Sequence, residues 1–125
     1  RYYLMSQLSG ITLAYIGDAI YEVLVREMLI KKGIQKVDHL HKLAIGYTSA
    51  VGQNKAVEQI LSLLTEVELA IFKRGRNANG DRKAKNATIS EYRQATGLEA
   101  LFGYLYLEKQ FERIYELLDE IIKES

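Results

Sequence analysis

ATGLEALFGYLYL, residues 95–107, decides how this chain is read. Its apolar residues leave no polar stripe, so as a helix it is apolar on every side and belongs in the centre of a bundle, enclosed by other helices. Glu99 is its only charge. An unpaired carboxylate in such a place costs several kcal/mol and is tolerated when it is protonated, paired with a base, or bound to a metal ion.

The rest of the chain repeats the helical spacing. There is no proline among the 125 residues, and apolar residues recur at three and four rather than at two. The first helix runs from about Gly10 to Lys31, with Leu13, Ile16, Ile20, Val23, Leu24 and Met28 on its inner side and KKG (31–33) as a basic last turn and glycine stop. Asp38 is placed to cap a second helical region reaching about Leu64, interrupted at Gly46 and Gly52 and so divisible into two helices. Thr65 with Glu68, and Thr88 with Glu91, have capping-box spacing. They open a short helix ending at KRG (73–75) and the central one, which reaches Tyr106. A final amphipathic helix carries Phe111, Ile114, Leu117, Leu118, Ile121 and Ile122 inward. The expectation is an all-α, compact helical fold in a single domain, with residues 1–7 a flexible or added end.

Composition narrows the chemistry. Hydrophobic residues make up 48% of the chain, enough for one real core. The absence of cysteine removes disulfides, thiolate metal sites and thiol nucleophiles, and suits a reducing compartment. No stretch approaches the roughly 18 unbroken apolar residues of a membrane helix, so no membrane partner and a soluble, cytoplasmic setting are expected. The net charge of +1 is unevenly spread: KRGRNANGDRKAK (73–85) has six basic residues and one acidic, whereas residues 108–124 carry six acidic and three basic. Such a basic loop attracts polyanions locally.

On the first helix, positions 11, 14, 18, 22 and 25 share a face, which places Asp18 among Ile11, Ala14, Glu22 and Val25. Asp18 raises the same difficulty as Glu99, and neither helix has a lysine or arginine within its apolar stretch to pair with. The economical reading is that the two carboxylates meet and share a hard divalent cation, magnesium (Mg2+), which keeps waters and binds phosphate oxygens. The alternative is that each makes its own salt bridge or lies at an exposed helix edge. In the basic loop, Arg74, Arg76, Asn77, Arg82, Lys83 and Lys85 combine forked guanidiniums with glycines and few aromatics, a composition suited to the backbone of a nucleic-acid duplex. His39 and His41 project about 200° apart on a helix, cannot hold one ion together, and read as surface or capping residues. Most of the nine tyrosines read as semi-buried packing.

LAYIGDAIYEVLVRE (13–27), FKRGRNA (72–78) and YRQATGLEALFGYLYLEK (92–109), in that order and spacing, resemble the mini-ribonuclease III family, over nearly the whole chain. This resemblance implies a ribonuclease III catalytic domain without the appended double-stranded-RNA-binding domain. It further implies a homodimer with two active sites along a basic valley, and magnesium-dependent cleavage of double-stranded RNA to 5′-phosphate and 3′-hydroxyl ends. The cellular role it implies is maturation of precursor 23S ribosomal RNA, with a ribosomal-protein helper possible. The family's aspartate falls on Asp18 and its glutamate on Glu99. Full-size ribonuclease III has further acids where this chain has Ile11, Ala14 and Thr96, so a second metal ion would rely on the RNA phosphate. A helical RNA- or ribosome-binding module without catalysis is the competing reading. A helical metal phosphohydrolase would need clustered histidines.

Overall fold

A computed structural model describes residue 4, residues 7–78 and residues 87–123. Arg82, Lys83 and Lys85 therefore lie outside the described residues, as does most of the segment 1–7. Six α-helices account for nearly all of the described chain, and no strand forms among those residues. They are α1 (Gly10–Lys31), α2 (Val37–Thr48), α3 (Ala50–Ile60), α4 (Glu66–Arg76), α5 (Ile89–Leu107) and α6 (Phe111–Ile122), with a 3-10 turn at Leu61–Leu63.

The helix ends show why the chain breaks where it does. Ser9 accepts the Thr12 amide and starts α1, while Thr65 and Thr88 form the two expected capping boxes with Glu68 and Glu91. The break between α2 and α3 falls on Ser49, not on Gly46 or Gly52: Ser49 is extended and its hydroxyl caps the Gly52 amide. Nor does Asp38 cap α2. The cap position is Lys36, which makes no side-chain bond, and Asp38 stands in the first turn, where a negative charge favours the helix dipole. Helix α4 runs on to Arg76, so Arg74 and Arg76 belong to its basic last turn rather than to a loop.

Helix α5 is the centre of the bundle, packing against α1, α3, α4 and α6, and its residues 97, 98 and 100–105 are all buried. Around it close Leu13, Tyr21 and Val25 of α1, Val57 and Ile60 of α3, Ile71 and Phe72 of α4, and Ile114, Leu117 and Leu118 of α6. Tyr21 meets Phe102 edge to face, ring centroids 5.4 Å apart. Each large side chain fully buried here contributes about 1.5–3 kcal/mol.

Three inward assignments are corrected by this packing. Val23 is 61% exposed, Phe111 is 47% exposed, and Tyr15, expected to be semi-buried, is 85% exposed. In α1 the apolar residues occupy more than one face, and only one of those faces meets α5.

Candidate active site

The crossing of α1 on α5 is built on two glycines. A methyl at Gly17 would overlap the Glu99 carbonyl, and one at Gly103 would overlap the Leu13 carbonyl, so the two helix backbones touch directly. Asp18 follows Gly17, and Glu99 lies one turn before Gly103 on the facing helix. Both side chains consequently line one cleft of about 990 Å3, together with Glu22, Tyr92, Arg93 and Thr96.

Their surroundings differ from the expected ones. Asp18 is exposed, not enclosed by apolar neighbours, because the 11–14–18–22 face of α1 turns toward the cleft rather than into the bundle. It lies at an exposed helix edge, as the alternative reading had it, yet that edge is the rim of the cleft. Glu99 is half-buried. Gln53, itself only 3% exposed, reaches across from α3 and donates from Nε2 to Glu99 Oε2 at 3.3 Å. Beside them the Tyr21 hydroxyl is buried with no hydrogen-bond partner. Burial foremost, then Tyr47 and Glu99 nearby, push its pKa up and keep the phenol protonated.

Ile11, Ala14 and Thr96, the positions where the resemblance implies that acids are missing, all line this cleft. Among the described residues no group of three or more His, Asp or Glu side chains is arranged to hold an ion. Two carboxylates in one cleft, one of them oriented by an amide, suit magnesium, which takes one or two carboxylates and keeps several waters.

Of the candidate RNA-binding residues, Arg74 is exposed and donates from Nη1 to the Leu8 carbonyl at 2.8 Å, tying the segment before α1 to the end of α4. Arg76 donates from Nε to Asn77 Oδ1 at 3.2 Å, and its guanidinium lies 5.9 Å from the centre of the Phe72 ring. His39 and His41 are exposed on α2. Three cleft or near-cleft residues escape the sequence reading as site members: Glu22, Gln53 and Arg93. Glu22 could have been found, since it stands one turn beyond Asp18 on the same face. A lone glutamine in α3 and a lone arginine in α5 carry no local signal.

The fold is all-helical, and Asp18 and Glu99 both line one cleft in it. The ribonuclease III domain family matches residues 11–110. Mini-ribonuclease 3 of Enterococcus faecalis is 47% identical over 119 residues, covering 94% of this chain and 90% of the relative, and that of Staphylococcus aureus is 41% identical, covering 92% and 87%. A crystal structure of protein FN1578 from Fusobacterium nucleatum superposes with a TM-score of 0.85 at 33% identity, covering 94% of this chain and 95% of that one. The chain belongs to the ribonuclease III family, in its mini-ribonuclease III branch, and is an endoribonuclease.

Proposed function

We propose that this chain, as a single ribonuclease III-like catalytic domain, hydrolyses double-stranded RNA with magnesium to give 5′-phosphate and 3′-hydroxyl ends. The observation that carries this reading is that Asp18 and Glu99 line one cleft, on the two helices that the glycine crossing holds together. These two carboxylates would hold the cation, which when bound supplies charge neutralisation at the phosphate and a water of lowered pKa. Gln53 orients Glu99, so the carboxylate is set before substrate arrives. Arg76 and Asn77, with Arg74, Arg82, Lys83 and Lys85, hold the RNA backbone, whose phosphates attract guanidinium and ammonium groups without regard to sequence.

A homodimer is part of the proposal. Ile11, Tyr15, Ala19 and Val23, spaced four apart, form an exposed stripe along α1, and the first three also line the cleft. A second copy covering this stripe would remove apolar surface from water and set two clefts side by side. The cellular substrate we assign is precursor 23S ribosomal RNA in the cytoplasm, with a ribosomal protein as helper, both from the resemblance. No described helix is long and apolar enough to cross a membrane.

The test is incubation of a long RNA duplex with and without magnesium. Asp18→Asn is expected to lower cleavage by roughly a thousandfold or more while duplex binding and helical content persist. Undiminished cleavage by that variant would remove Asp18 from the site.

A further inference from the structure

A second, smaller hollow of about 380 Å3 adjoins the cleft between the end of α4 and the start of α5. Arg76, Asn77, Ile89, Ser90, Arg93 and Gln94 line it. Arg93 is the one residue common to both linings, standing in the cleft with Asp18 and Glu99 and in the hollow with Arg76. The two spaces therefore share the Arg93 side of α5.

The chemistry of the hollow points to an anion. None of its lining residues is acidic, and the acid in the first turn of α5, Glu91, is already engaged in accepting the Thr88 amide. Arg93 is exposed and makes no ion pair with any described residue. Arg76 is preorganised by Asn77 and by the Phe72 ring, which leaves its terminal nitrogens for a ligand. Ser90 adds a hydroxyl donor. Two forked guanidiniums with a hydroxyl and two amides, beside a single large apolar side chain, suit a phosphodiester rather than a base or an apolar ligand.

We propose that this hollow is a phosphate subsite for the cleaved strand, in which Arg93 and Arg76 grip a backbone phosphate next along from the one at Asp18 and Glu99. The inference rests on the duplex-RNA reading above and extends it: Arg93 sets the register of the strand, delivering the adjoining phosphodiester to the carboxylates. It contributes binding, not chemistry.

The test measures binding of a defined RNA duplex to the full chain carrying Asp18→Asn, in magnesium, over a series of salt concentrations. Arg93→Gln is expected to weaken binding roughly tenfold and to lower the slope of log affinity against log salt by about one, the loss of one phosphate contact. Arg93→Lys is expected to restore the slope but only part of the affinity, because the fork is lost while the charge remains. Lys55→Gln, an exposed cation on α3 outside both spaces, serves as the control and should change neither. In the chain with Asp18 intact, Arg93→Gln should raise KM with kcat nearly unchanged.

Arg93→Gln binding with native affinity and slope would overturn the subsite while leaving the duplex reading standing. A fall in kcat at constant KM would also overturn it, by moving Arg93 into the chemistry. If the Asp18→Asn chain binds no duplex at all, the substrate reading fails, and the subsite fails with it.

Discussion

Gln53 on α3 donates to Glu99 on α5 across 3.3 Å, and this bond joins two helices at the half-buried carboxylate of the cleft. A carboxylate that must hold a hard cation works best when its second oxygen is already fixed. Gln53→Leu keeps the volume and removes the donor. It is expected to raise the magnesium concentration for half-maximal cleavage roughly ten- to a hundredfold, with a thermal midpoint close to native. Titration of cleavage rate against magnesium checks this, and an unchanged half-saturation point would leave Gln53 a packing residue.

The glycine crossing makes a sharper structural demand. A side chain at Gly17 meets the Glu99 backbone rather than a flexible group, so the helices must separate to admit it. Gly17→Ala is expected to cost about 3 kcal/mol or more, read from the urea midpoint, and to lower cleavage by pulling Asp18 from Glu99. Alanine tolerated at native stability would contradict the direct backbone contact.

Acid sensitivity should come from Glu68. Burial alone would raise the pKa of this 5% exposed carboxyl, but hydrogen bonds from Arg113 and the Thr65 amide, with the Arg113 charge, bring it below its ordinary value of 4.5. Arg113 donates to both oxygens, each at 2.9 Å, and to the Leu63 carbonyl at 2.7 Å. Because the folded pKa lies below the unfolded one, the pair stabilises fully above the unfolded value and loses its contribution as pH falls through the folded value. Unfolding measured from neutral pH downward should thus show this contribution intact until pH approaches 4.5 and declining below it. Glu68→Gln, expected to cost about 2 kcal/mol at neutral pH, should flatten that part of the decline.

The α1 stripe yields a test of assembly. Tyr15→Glu places a charge at a position 85% exposed, where the folded monomer has ample room for it. Sedimentation is expected to show a monomer with native helical content, and cleavage is expected to fall by roughly tenfold or more as the second copy is lost. A dimer that persists with full activity would move the interface elsewhere.

Much of this was legible from residue order. The bounds of α1, both capping boxes and the enclosure of α5 follow from local rules: hydroxyl caps with a glutamate three residues on, and an apolar stretch with no polar stripe. Asp18 and Glu99 stood out because charges are rare in such stretches. Yet the argument that singled out Asp18 assumed burial, and Asp18 is exposed. The residue was found through its apolar neighbours in sequence, some of which face the same open cleft.

By itself, then, the sequence determined an all-helical chain, where most helices start and stop, and which acids are anomalous, since each of these depends on groups within a turn or two of one another. Only the tertiary structure decided which face of α1 meets α5, that Gln53 comes to Glu99, and that Arg93 lines two hollows. Those outcomes depend on groups far apart in the chain brought together by packing. On a helix such as α1, apolar on more than one side, periodicity does not distinguish the face that meets its own bundle from the stripe left exposed.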